Sequence, residues 1–310
     1  MQTPSVFGFV LRATPPGARR VRLARVCAVT LALTTGAAAA HYFRVGQRCC
    51  RPARLHLTAA ERERAHRALP LLEDITFRAD DGLTIRGFYL APKNGVVVVM
   101  GHGIAENRMR FLPDAEMLAG SGYGSLFFDW PGHGESDERA GTWGDHEQRD
   151  FRAAIDFATQ KAGSGVKIAA LGFSVGSSAV ALEAADDPRV RAVILEAIWP
   201  TLDEEMSDKI PYFFKRWPAR LGMQHEGVEF DRVRPIDVID RISPRPLLIV
   251  AGAADRDTPL PVVERVFAAA KEPKQLWVVP DADHGKYFDT QPEEYRRTVM
   301  AFLDGAFLGR

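Results

Sequence analysis

The chain alternates between two kinds of pattern. Ile75–Arg78 and Thr84–Leu90 alternate apolar and polar residues around Asp81-Gly82, which predicts a hairpin of half-buried strands. Val96–Met100 is an unbroken apolar run, expected of a strand buried on both faces. Similar runs follow at Ser125–Phe128, Ile168–Leu171, Ala192–Leu195, Leu247–Val250 and Gln275–Val279. Between them lie segments with helical spacing: Asp114–Gly120, His146–Lys161, Ser177–Ala185, Pro261–Ala270 and a last one over about Glu293–Leu308. An antiparallel start followed by repeated strand–helix units predicts an α/β fold: a mostly parallel sheet of about eight strands with helices on both faces.

Two stretches break this rhythm. Residues 200–243 hold aromatics, prolines and charges but no clear strand. So long an interval inside a compact domain predicts an inserted element, read here as a small helical cap over the strand ends. At the other end, residues 55–71 predict a polar linker helix, and the main domain spans 72–310 with the cap inside it.

Residues 1–54 differ in composition. They carry nine arginines (Arg12, Arg19, Arg20, Arg22, Arg25, Arg44, Arg48, Arg51, Arg54) and no acid, although Lys+Arg and Asp+Glu are balanced at 40 each over the whole chain. Zero net charge gives no reason to expect a nucleic-acid partner. Residues 26–43 contain no charged side chain, apart from His41, and follow four arginines, which predicts a signal-anchor or a signal peptide cleaved after Ala38-Ala39-Ala40. A basic helix lying on a surface is the alternative. The anchor reading places the main domain outside the cytoplasm, membrane-attached. Cleavage would leave it secreted or periplasmic. Cys27, Cys49 and Cys50 all lie in this segment, so disulfides do not staple the main domain, and their spacing is not that of a metal site.

The candidate chemistry sits at strand ends. Gly172-Phe173-Ser174-Val175-Gly176 is a G-x-S-x-G sequence between a predicted strand and a helix beginning near Ser177. Small residues two before and two after the serine let strand and helix pass closely, so Ser174 is the expected nucleophile. A serine needs a base, and the base needs an orienting acid. Asp255, just past Leu247–Val250, is the expected acid, with Asp257 and Glu196 as rivals. His284, after the last strand, is the expected base, and neighbouring Asp283 is read as a surface acid. His102-Gly103 ends Val96–Met100, and the backbone N–H groups of Ile104 and Val175 are the expected oxyanion donors. His102 itself is read as a turn residue. His133, His146 and His225 lie at less suitable positions.

Together these residues resemble the α/β-hydrolase superfamily. More narrowly, the chain is similar to bacterial hydrolases of the serine aminopeptidase/lysophospholipase-like group over about residues 72–306. The resemblance rests on His102-Gly103 with Asn107-Arg108, the segment Asp129–Ser136, the turn at Ser174, Gly252 through Asp255 with Pro259, and His284-Gly285. It implies a triad of Ser174, Asp255 and His284, a structural role for Asp129–Ser136, and hydrolysis without metal or organic cofactor. The expected substrate is a small-molecule or lipid-like carboxylic ester. An amide, a thioester or acyl transfer on the same triad, or a non-catalytic membrane-anchored binding protein, remain as alternatives. Dehalogenase chemistry would need an aspartate where Ser174 stands.

Overall fold

Alternation within single strands explains why the sheet is covered twice. The computed structural model describes residues 16–210 and 212–309. In Val96–Gly101 (β3), Val97 and Val99 face one apolar layer, and Val96, Val98 and Met100 face the other. All six residues are buried. Around it lie Glu73–Arg78 (β1), Thr84–Leu90 (β2), Gly124–Phe128 (β4), Lys167–Phe173 (β5), Val190–Glu196 (β6), Leu247–Gly252 (β7) and Lys274–Val279 (β8). They form one eight-stranded sheet in the order β1-β2-β4-β3-β5-β6-β7-β8. The hairpin β1–β2 is antiparallel and joins β4 antiparallel; every later pairing is parallel.

The helices are Pro16–Cys49 (α1), Ala59–Ala68 (α2), Leu112–Gly120 (α3), Asp145–Ala162 (α4), Val175–Asp186 (α5), Leu202–Lys209 (α6), Phe213–His225 (α7), Leu260–Ala269 (α8), Tyr287–Thr290 (α9) and Pro292–Phe307 (α10). One face of the sheet is covered by Phe151, Ala154 and Ile155 of α4, Ala179 and Val180 of α5, and Val263 and Val266 of α8. The other takes Leu112 and Ala115 of α3, Ala65 of α2, and Val299 and Phe302 of α10. This is the α/β-hydrolase architecture. The expected linker helix is α2, held by a Thr58–Glu61 capping box and seated through Ala65.

The segment after β4 is built on Asp129. Its carboxylate accepts from the backbone amides of Arg108 (2.7 Å) and Glu135 (2.9 Å) and pairs with the Arg108 guanidinium, while Ser136 Oγ donates to its carbonyl (2.6 Å). Asp129 and Arg108 are both buried, so this ion pair shapes a turn and touches no candidate catalytic group.

The interval 200–243 is helical, but its boundary needs correction. Helices α6 and α7 form the cap. The short helical turn Pro235–Asp237 packs on α5 and α8, and Ile239 and Ile242, both in the next turn Ile239–Ile242, are buried in the main core against the same helices. The cap therefore ends before Pro235, because an apolar pair three residues apart seats the chain back on the body. The aromatics also divide. Trp199 and Phe230 are buried, whereas Tyr212, Phe213, Phe214 and Trp217 face outward.

The apolar run 26–43 lies within α1. Among the described residues, no helix is long and apolar enough to cross a membrane. Residues 27–38 are exposed; from residue 39 the helix begins to gain partners and packs on α7. Gly46 and Gly222 make that packing close, since a Cβ at either would strike the backbone of Ala219 or Phe43. Arg12 lies outside the described residues. All three cysteines are free: Cys27 exposed, Cys49 partly buried, Cys50 buried. Burial pushes the Cys50 thiol up to about 12, with Cys49 adding to the effect, so it stays protonated.

Candidate active site

Strand β5 ends at Phe173, helix α5 begins at Val175, and Ser174 alone makes the turn at φ 54° and ψ −117°. That region of backbone space disfavours L-residues and costs on the order of 1–3 kcal/mol, so neighbours must enforce it. The Ser174 amide donates to the Glu196 carbonyl (2.9 Å). Ser177 Oγ lies 2.6 Å from both the Gly172 and Glu196 carbonyls. A Cβ on Gly172 would collide with the Gly176 backbone, and one on Gly176 with the Gly101 carbonyl. The helix thus starts two residues earlier than its sequence pattern predicts, directly behind the serine. The first amides of α5 have no intrahelical acceptor, and the positive end of its dipole lies at the serine.

Asp255 lies three residues past β7 and is 5 % exposed. Its Oδ1 accepts from the amides of Asp257 (2.9 Å) and Thr258 (2.8 Å); its Oδ2 meets His284 Nδ1 (2.9 Å) and Tyr287 Oη (3.2 Å). Burial opposes ionisation of this carboxyl. The His284 hydrogen bond and the backbone donors outweigh it and hold the pKa below the usual carboxylate range. Asp257 is exposed and faces Lys209 of α6 (3.6 Å), so it supplies an amide to the site rather than a carboxylate. Asp283 accepts from the His284 backbone amide (2.8 Å), not from its ring.

The His284 ring lies 4.8 Å, centroid to centroid, from the ring of Phe173, the residue before the serine. The structure therefore joins acid to base directly and places the base beside the turn. Among the described residues, Ser174 Oγ makes no hydrogen bond, a looseness common before substrate binds. Ser174 itself is 9 % exposed.

On the far side, the Gly103 amide is taken by Glu106 Oε2 (2.9 Å), and the Ile104 amide has no partner among the described residues. Val175, as the first residue of α5, has no intrahelical acceptor for its amide. Both side chains join one apolar cluster with Cys50, Trp143, Trp199, Met206 and Met223 beneath the cap. His102 is fully buried. Its Nδ1 bonds to the Gly103 carbonyl (2.7 Å) and its Nε2 accepts from the Trp130 amide (3.3 Å). Burial, with His133 nearby, drives its pKa well below the ordinary histidine value, so it is a neutral turn residue.

Sequence reasoning missed the group beneath the site. Arg110 Cζ stacks 3.5 Å from the Phe173 ring centroid. Its guanidinium reaches Gly285 O (3.4 Å), Glu196 Oε2 (3.3 Å) and Glu106 Oε1 (3.4 Å). It thus ties the histidine loop, the end of β6 and the loop carrying Ile104 to the nucleophile strand. The Glu106/Arg110 spacing of four residues was the one signal available. Glu196, a rival for the acid role, is committed to this group.

Tyr295 Oη lies 2.7 Å from Asp114 Oδ1 and 2.7 Å from Glu196 Oε1. One hydroxyl hydrogen cannot serve both, so one carboxyl must carry a proton. Burial raises Glu196 too, but Arg110, 3.3 Å away, favours its ionised form and so leaves the proton to Asp114. Burial and then the Glu196 charge raise Asp114 to about 7. That value lies above the ~3.9 of an unfolded chain. The folded protein therefore binds more protons in this window, and stability falls as pH rises from about 4 through about 7. An asparagine side chain in its place would mimic the neutral acid. We expect Asp114→Asn to gain stability over the parent on going from pH 5 to pH 8, on the order of 1 kcal/mol, in denaturant melts. Parallel pH dependence of the two proteins would refute the shared proton.

A strained serine turn at the end of a parallel strand, followed by a buried acid–histidine pair on later strand ends, defines a serine hydrolase of the α/β type. Known proteins agree. Residues 92–238 match the family described as serine aminopeptidase, S33. Protein Rv2307c of Mycobacterium tuberculosis is 30% identical over 224 residues, covering 71% of this chain and 75% of that protein. Protein YfhR of Salmonella typhimurium is 29% identical over 259 residues, covering 76% and 82%. Among solved structures, an esterase of Pyrococcus furiosus, Pf2001, superposes with a TM-score of 0.69 at 21% identity, over 83% of this chain and 97% of that one. This chain belongs to the α/β-hydrolase superfamily and to one family with Rv2307c.

Proposed function

We propose that the protein hydrolyses a carboxylic ester with an apolar acyl group, through an acyl-enzyme on Ser174. His284 takes the Ser174 proton as Oγ attacks the ester carbonyl, and Asp255 holds the imidazole with Nδ1–H toward its Oδ2. The amides of Ile104 and Val175 receive the oxyanion. The protonated His284 then gives its proton to the departing alcohol. Water, deprotonated by the same ring, attacks the acyl-enzyme; the Oγ–acyl bond breaks, His284 returns the proton to Ser174 Oγ, and the acid leaves. The observation that carries the reading is the 2.9 Å Asp255–His284 bond beside a serine held at φ 54°. The apolar acyl preference rests on the cluster shared by Ile104, Val175, Trp143 and Met206.

A fluorophosphonate probe and a panel of p-nitrophenyl esters of increasing chain length, with an anilide and a thioester alongside, test this. We expect labelling of the parent, and a kcat/KM that rises from acetate to medium-length acyl chains, roughly tenfold over a few methylenes. A folded protein that stays unlabelled and hydrolyses no ester would overturn it; faster turnover of the anilide would make it an amidase.

A further inference from the structure

Helix α1 has two halves with different surroundings. Residues 27–38 bear no charge, are exposed on every side, and so bury nothing against the rest of the chain. A helix gains its stability in water from burying an apolar face, which this stretch does not do. Two of its three hydroxyls are turned inward: Thr34 Oγ1 donates to the Thr30 or Leu31 carbonyl (3.0 Å each), and Thr35 Oγ1 to Leu31. These polar groups therefore need no water.

Where this helix meets the domain, the cap presents a patch of aromatics. Tyr212, Phe213, Phe214 and Trp217, at the start of α7, are 57, 71, 68 and 55% exposed. The patch is fixed to α1 at Tyr42: Lys215 Nζ lies 5.5 Å from the Tyr42 ring, 4.8 Å from Tyr212 and 5.9 Å from Phe214. An uncharged helix with aromatic rings at its root matches the chemistry of a bilayer interface. The charges choose between occupants. Arg25 precedes the exposed stretch, Arg44 and Arg48 follow it, Lys215 and Arg216 stand among the rings, and residues 1–54 contain no acid. A second copy would bring the same cations and no partner for them, whereas an anionic lipid surface complements them.

We infer that the aromatic start of α7 and the projecting half of α1 form one surface that docks on an anionic lipid bilayer. The inner side of the same α7 contributes Met223 to the cluster holding Ile104 and Val175, so the cap stands between bilayer and serine. An acyl chain leaving the lipid would meet the cap first; this last step rests on the ester reading above, while the docking does not.

The test uses the full chain and sedimentation with vesicles of zwitterionic lipid, with and without an anionic lipid. The parent is expected to sediment with the anionic vesicles. The triple variant Phe213→Ser/Phe214→Ser/Trp217→Ser should partition about tenfold less, with an unchanged thermal midpoint. Quenching by brominated lipid gives a second readout that does not need the triple variant to fold. It should be strong in the parent and largely lost in Trp217→Phe. Equal sedimentation of parent and triple variant, or equal quenching with and without Trp217, overturns the inference. So does a parent that ignores vesicles and is a dimer that the triple variant dissociates. Ser174→Ala should bind vesicles like the parent, so loss of ester turnover and loss of docking are read separately.

Discussion

Replacing Ser174 with alanine is expected to leave a folded protein whose ester turnover is lower by about 10⁴–10⁶, with no fluorophosphonate label. The fold should survive because the turn is enforced from outside the side chain. The Ser174 amide still reaches the Glu196 carbonyl, and Gly172 and Gly176 still allow strand and helix to cross. Alanine bears the same positive φ as serine, at a similar cost. What disappears is the oxygen proposed to attack a carbonyl held between His284 and the amides of Ile104 and Val175. Residual turnover above water would come from that oxyanion pair and from binding. Rates within tenfold of the parent, in a sample free of contaminating esterase, would identify another nucleophile.

Replacing Asp255 with asparagine is expected to lower kcat by about 10³–10⁴ with little change in KM. The Asp255 oxygens accept from two backbone amides, His284 and Tyr287. Asparagine can keep the amides of Asp257 and Thr258 on its oxygen. Its NH₂ group then faces His284 Nδ1, which must become an acceptor, and the proton moves to the nitrogen that should receive one from Ser174. The base is present but in the wrong tautomer. Asp257→Asn provides the contrast. Its carboxylate is exposed and faces Lys209 at 3.6 Å, so about a twofold change is expected. Equal losses in the two variants would show that the loop, rather than the Asp255 carboxylate, matters to the rate.

What could be read in the sequence, and what could not, follows from the range of the interactions. Strands such as Val96–Gly101 are legible because burial on both faces leaves an apolar run that no other element would need. Ser174, Asp255 and His284 are legible because each sits at the end of such a run, in the order that the fold demands. Arg110 was not: its partners Glu196 and Gly285 lie 86 and 175 residues away, and nothing local marks an arginine that will be buried under a histidine loop. The Asp114–Tyr295 bond spans 181 residues and was equally hidden. The cap's end was misplaced because Ile239 and Ile242 return to the core without forming a strand. Composition gave the cap its aromatics but not their direction, and the four at the start of its second helix turn away from the serine.

The close crossing of Gly46 and Gly222 makes the second cap helix and the N-terminal helix a single unit. Helix α7 lies on α1 with backbone nearly against backbone, and separating them would expose surfaces matched too closely to be replaced by water at little cost. Helix α6 is seated differently: Leu202 and Met206 are buried in the apolar cluster, Arg265–Glu204 and Lys209–Asp257 pair its outer side with the body, and Asp203 pairs with Arg220 of α7. Helices α7 and α1 therefore hold together as one post, and the outward aromatics at the start of α7 are carried on it.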